Sequence, residues 1–209
     1  MGIIAGMRAR LMGLFLLGLV RLLTGSQARW VGCPPKAEQR IYFANHQSHV
    51  DLLLIWAALP QVLRTLTRPI AARDYWTKTP FRHWITSQVF NAVYVARERT
   101  ADQDPLEPLA EALHNGDSII LFPEGTRGHA EDPQPFKAGL FNLALRFPQV
   151  VLVPAWIANV QRVMPKGEVV PVPVLCSVTF GVPIRLEPGE DRRVFLERAR
   201  AAVTALRDV

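Results

Sequence analysis

The chain predicts a single-domain α/β fold, and three observations carry the prediction. Short apolar runs alternate with longer segments of helical period between residues 41 and 157, a pattern that builds a sheet with both faces covered. Nearly half of the 209 residues are apolar (49%), enough for one substantial core. No Ser/Gly-rich linker or internal repeat divides the sequence.

Taken in order, Leu11 to Val20 is a run of ten uncharged, mostly apolar residues flanked by Arg8, Arg10 and Arg21. Crossing a bilayer takes roughly 20 apolar residues, so the run predicts a helix at a membrane interface, with its arginines reaching anionic headgroups. Leu14 and Leu17 share a face with Arg10 and Arg21, which breaks clean amphipathicity. A signal peptide ending near Ser26-Gln27-Ala28 and an ordinary core helix are the competing readings. The formal charge of +6 is concentrated here, because residues 1 to 40 hold six basic side chains against Glu38 alone. A basic N-terminus implies an anionic partner surface.

Ile41 to Ala44 then reads as a buried strand and Val50 to Ala58 as a helix, with Ser48 and Asp51 spaced as a capping box. A short strand is expected near Pro69 to Ala72, helical residues over 80–89 and a strand over 92–96. The aromatic group Tyr75, Trp76, Phe81 and Trp84, interleaved with Lys78, Arg82 and His83, suits either core or lipid contact. Helices over 105–115 and 137–146 bracket a strand over 118–122, and a further strand covers 151–157. Pro165 to Pro173 reads as an extended connection, Val174 to Phe180 as a strand, and the spacing of Val194, Phe195, Ala199, Val203 and Leu206 predicts a terminal helix from about Asp191.

Two segments carry chemistry. In Asn45-His46-Gln47-Ser48-His49-Val50-Asp51 a histidine precedes an aspartate by five residues. In one continuous helix these side chains would point about 140° apart, and in a strand they would face opposite sides. They cooperate across a turn between strand and helix. A carboxylate fixing one imidazole nitrogen leaves the other free to take a proton from a hydroxyl; the plainer reading is a capped helix beside a satisfied loop histidine. The second segment, Pro123-Glu124-Gly125-Thr126-Arg127, follows a buried strand. Arg127 suits bidentate phosphate binding, Gly125 a close backbone approach, and Glu124 a substrate hydroxyl or the arginine itself. The alternative is a surface turn with a solvated ion pair.

Rival chemistries lack their residues. His46, His49 and Asp51 suggest metal, but His83, His114 and His129 supply no second ligand pair at short spacing. No Gly-x-Ser-x-Gly nucleophile elbow occurs, and neither Cys33 nor Cys176 lies in a nucleophile motif. Two unpatterned cysteines make no disulfide framework, consistent with a reducing compartment.

With both segments in hand, the chain resembles the glycerophospholipid acyltransferase family, whose familiar members acylate 1-acylglycerol 3-phosphate. The family's Asn-His-x-x-x-x-Asp pattern is met by Asn45, His46 and Asp51, and its Phe-Pro-Glu-Gly-Thr-Arg pattern by Phe122 to Arg127. Asn91 to Arg97 fits a third, Gly-x-hydrophobic-aromatic-hydrophobic-x-Arg, with Asn91 in place of the glycine, and asparagine tolerates left-handed backbone. Phe136-Lys137-Ala138-Gly139 and Val151 to Ala155 match two further patterns. The likeness runs from about 41 to 158, all motifs in order.

The resemblance implies a glycerol-phosphate-acyltransferase-like fold, a central mixed sheet flanked by helices, with residues 1–30 as a membrane-association segment and 31–209 as the acyltransferase domain. By analogy His46 is the general base and Asp51 orients it, while Asn45, Ser48, Arg97, Glu124, Gly125, Thr126, Arg127 and Lys137 contact substrate. Arg97 has a plain alternative as a solvated strand-end charge. The implied reaction passes an acyl group from an acyl-CoA or acyl carrier protein thioester to 1-acylglycerol 3-phosphate, giving phosphatidic acid. Another lysolipid as acceptor, or a catalytically silent lipid-binding protein, are the alternatives. No metal, resident cofactor or nucleic acid is expected; the thioester is a co-substrate. The expected place is an anionic membrane surface, with the site on the cytoplasmic side.

Overall fold

The computed structural model describes residues 2–25, 27–48, 50–96, 104–128, 132–159 and 175–209, with side chains from residue 6 onward. Arg97, His49, Ser26 and the expected connection Pro165 to Pro173 lie outside the described residues. Seven strands form one mixed sheet in the order β1-β7-β6-β2-β5-β3-β4. In chain order they are β1 (Gln27–Trp30), β2 (Arg40–Ala44), β3 (Thr67–Ala72), β4 (Val93–Val95), β5 (Ser118–Leu121), β6 (Val151–Ala158) and β7 (Ser177–Phe180). β6, β2, β5, β3 and β4 run parallel; β7 pairs antiparallel with β6, and β1 pairs parallel with β7.

β2 is central because all five of its residues are apolar enough, or well enough paired, to be buried. Its period of two sends Ile41 and Phe43 to one face and Tyr42 and Ala44 to the other. Arg40, almost fully buried, is tolerated because Nη2 donates to Glu38 (2.6 Å) and to the Pro34 carbonyl (2.9 Å). Helices α6 (Glu107–His114), α7 (Gly139–Arg146) and α8 (Arg192–Thr204) cover the Ile41 face. Asp191 caps α8 by accepting from the Arg193 and Val194 amides.

The Tyr42 face is covered by α1 (Gly2–Thr24), α2 (Asp51–Ala58) and α3 (Gln61–Leu66). Two short helices, α4 (Arg73–Trp76) and α5 (Pro80–Trp84), follow β3, and α5 runs into a π-helical turn over Ile85–Val89. Thr79 caps α5 by accepting from the Arg82 amide, with Pro80 in the first turn. α1 extends well beyond the apolar run and packs on α2 and the π turn, burying Ala9 and Leu17. Among the described residues no helix is long and apolar enough to cross a membrane.

The aromatic group divides. Trp76 packs against the core cluster, whereas Phe81 is 61% exposed and stacks on half-buried Trp84 with ring centroids 6.5 Å apart. β1, α3 and α4 are elements that the sequence pattern does not announce.

Candidate active site

Parallel strands deliver their following loops to one edge of the sheet, the usual position of a crevice. β2 and β5 are adjacent, so the loop after Ala44 and the loop after Leu121 emerge side by side. This brings together two segments 78 residues apart in sequence: the His46 amide donates to Glu124 Oε1 at 2.7 Å.

The turn from β2 into α2 is built around Asp51. One oxygen, Oδ2, accepts from the Gln47 amide (2.6 Å) and the Ser48 amide (2.9 Å) and lies 2.9 Å from His46 Nδ1. The helix starts at Asp51 itself, and Val50 at its N-cap makes no side-chain cap. Half of the expected capping box forms: the Ser48 amide donates to the Asp51 carboxylate, while the Asp51 amide turns to the Ser48 carbonyl (3.4 Å) in place of the hydroxyl, and His46 Nδ1 and the Gln47 amide share the same carboxylate oxygen. Asp51 is fully buried, and its other oxygen, Oδ1, has no hydrogen-bond partner. Ser48 is buried too, its Oγ 3.4 Å from the Val50 amide.

His46 is held on every side but one. Its side chain is 23% exposed and its ring lies parallel to Phe122, 4.4 Å between centroids and 18° between planes. Its amide donates to Glu124 and its carbonyl accepts from Gly128 (2.8 Å). With Nδ1 against Asp51, the protonated Nδ1 tautomer leaves Nε2 as a lone-pair acceptor without a described protein partner. A fixed ring with one free basic nitrogen is the arrangement general-base chemistry needs.

Glu124 is buried, and its second oxygen accepts from the Gln134 amide at 2.8 Å. The motif alone suggests that this carboxylate serves a substrate group; the structure commits both oxygens to the backbone, where they brace the His46 loop against Gln134. Burial pushes the Glu124 carboxyl above its ordinary value, against the pull of the Gln134 and His46 amides. Asn45 is likewise spent internally: its Oδ1 accepts from the Ile157 amide (2.8 Å) and its Nδ2 donates to the Ile157 carbonyl (3.1 Å). It pins the end of β2 to β6.

The groups left facing outward are Gly125, Thr126, Arg127 and Lys137, all exposed. Arg127 makes no ion pair with a described residue. Gly125 adopts φ 70°, a conformation that favours glycine, and the Lys137 ammonium lies over it, 2.6 Å from where a Cβ would sit. The Lys137 amide donates to the Pro123 carbonyl (2.9 Å), which fixes that approach. Two cations therefore border the loop that also braces His46. Phe122 opens the Phe-Pro-Glu-Gly-Thr-Arg pattern, but its stacking on His46 is not legible there, and Gly128 and Gln134, which act through backbone amides, carry no spacing signal of their own. Among the described residues no group of three His, Cys, Asp or Glu side chains is placed to hold a metal ion.

The family model for acyltransferases matches residues 33–158, more than half of the chain and the whole of this site. The chain belongs to the acyltransferase family. Among similar acyltransferases, the human 1-acyl-sn-glycerol-3-phosphate acyltransferase alpha is 33% identical over 138 residues, covering 64% of this chain and 46% of the relative. The coconut 1-acyl-sn-glycerol-3-phosphate acyltransferase is 28% identical over 196 residues, covering 82% and 57%. The chain spans about half the length of the curated relatives it matches. In structure it superimposes on the 1-acyl-sn-glycerophosphate acyltransferase PlsC of Thermotoga maritima with a TM-score of 0.68 at 22% identity, over 98% of this chain and 86% of that one, which establishes the shared fold.

Proposed function

We propose that this acyltransferase-family protein moves an acyl group from a thioester of coenzyme A or of an acyl carrier protein to the free hydroxyl of 1-acylglycerol 3-phosphate, giving phosphatidic acid. The observation that carries the reading is the clamped His46, with Nδ1 on buried Asp51 and its amide on Glu124 of the loop that also carries the exposed Arg127. The acceptor class named for its relatives supports the choice of substrate.

In this mechanism Nε2 takes the proton of the acceptor hydroxyl as its oxygen attacks the thioester carbonyl. Asp51 stabilises the imidazolium that forms. The tetrahedral intermediate collapses by breaking the carbon–sulfur bond, and the imidazolium returns its proton to the departing thiolate. No acyl-enzyme is needed. Arg127 and Lys137 hold the acceptor phosphate, Gly125 and Thr126 give its glycerol backbone close access, and Arg97 joins them as a further cation. Asn45, Ser48 and Glu124 act by holding the loops. The chain works at an anionic membrane surface, with its site toward the cytoplasm; two free, buried thiols, Cys33 and Cys176, suit a reducing compartment.

Product analysis tests this. Purified protein is incubated with a mixture of lysophospholipids and with both thioester donors, and the products are read by mass spectrometry. Phosphatidic acid formed from 1-acylglycerol 3-phosphate is the expected result. Acylation of a different lysolipid alone would overturn the acceptor assignment, and acylation of none would favour a silent lipid-binding protein.

A further inference from the structure

α1 is apolar on two opposite faces. One carries Ala9, Gly13 and Leu17 into the domain, where Gly13 approaches Val89 and Trp56. The other presents Leu11, Leu14, Phe15, Gly18 and Leu22, spaced three and four residues apart; Leu11 and Phe15 are each 62% exposed and Leu22 is 81% exposed. A helix apolar all round is stable only with an apolar neighbour on each side, and this structure supplies one for the inner face alone. Arg8 borders the outer stripe on one side, Arg10 and Arg21 on the other, and no acidic residue precedes Glu38.

The stripe opens into a groove of about 660 Å³ between α1 and α5, lined by Leu11, Met12, Phe15, Phe81 and Trp84, with Arg8 at its rim. We infer that this groove takes one acyl chain of an anionic phospholipid from the membrane leaflet, with the lipid phosphate on Arg8 and the outer stripe of α1 set among neighbouring chains. A second copy of the chain is a poorer occupant, because pairing two such stripes would bring their arginines together without a carboxylate in α1 to offset them. An amphipathic surface of apolar side chains edged by arginines fits an anionic interface. The inference extends the membrane-surface reading above, and it does not depend on which acceptor is acylated.

The test uses the full chain and vesicles of phosphatidylglycerol mixed with phosphatidylcholine, whose acyl chains carry bromine as a quencher of tryptophan emission. Trp84 is the one tryptophan lining the groove. Wild-type emission is expected to fall on vesicle addition, and Trp84→Phe to lose most of that quenching while still sedimenting with vesicles. Phe81→Glu and Arg8→Glu, both at exposed positions and checked by circular dichroism for an unchanged fold, are expected to weaken vesicle binding about ten-fold or more. Quenching undiminished in Trp84→Phe would overturn the proposal, as would unchanged binding by Phe81→Glu. Lipid-free dimerisation abolished by Phe81→Glu would assign the groove to a second copy instead. Acyl transfer between short-chain monomeric substrates in vesicle-free buffer is read alongside; its persistence in the variants separates this surface from the chemistry.

Discussion

At the scale of single residues, the site depends on carboxylates doing different work. Asp51 faces the imidazole; Glu124 faces two peptide amides. Glu124→Gln keeps one acceptor and leaves one buried amide facing an NH₂ group, so we expect a loss of roughly 1–3 kcal/mol in urea denaturation. The pH dependence has a definite sign. Burial raises the Glu124 carboxyl above its ordinary value of 4.5, so the native state binds this proton more readily than the unfolded chain does. Its contribution to stability is therefore full below that ordinary value and is lost as pH rises through the raised one. The stability advantage of wild type over Glu124→Gln should shrink with rising pH over that window, and an advantage that grows would mean that the two amides outweigh burial. For Arg127→Ala the expected loss lies in acceptor KM, since the guanidinium is exposed and its proposed partner is the acceptor phosphate; steady-state kinetics with an effect confined to donor KM would move the phosphate site elsewhere.

At the scale of elements, the strand ends set the geometry. Asn45→Ala removes both hydrogen bonds that tie β2 to Ile157 and leaves a buried amide and carbonyl unpaired. We expect a cost of about 2–4 kcal/mol by chemical denaturation, with kcat falling as His46 loses its footing. Asn91 sits at φ 48°, the left-handed conformation anticipated where the family carries glycine. Asn91→Gly should be tolerated, and Asn91→Val should cost about 1–2 kcal/mol, read as a lowered melting temperature. The elements that could be read from sequence were those with strong period or clear ends, such as β2, β5 and α8 with its Asp191 cap. β1 escaped because Gln27-Ala28-Arg29-Trp30 is an exposed edge strand without apolar alternation, recruited by pairing with β7. The pairing of His46 with Asp51 across a turn was readable from spacing and helix geometry. The backbone duties of Asn45 and Glu124 were not, because their partners, Ile157, Gln134 and the His46 amide, are fixed only by tertiary contact.

At the scale of the whole molecule, α1 is part of the domain, packed on α2 and the π turn. Removing residues 2–24 would uncover Trp56, Val89 and the core around Leu17; we expect a melting temperature lower by on the order of 10 °C, measured by calorimetry, rather than a change in vesicle binding alone. The sheet carries two distant loops to a common edge, where the first supplies His46 clamped on Asp51 and the second braces it and offers cations. The most direct check is the rate of phosphatidic acid formation by His46→Ala set against wild type, with matching circular dichroism and melting curves. The mechanism predicts a well-folded variant whose turnover is lower by a factor on the order of 10²–10⁴ or more. A folded His46→Ala protein that acylates at the wild-type rate would contradict it.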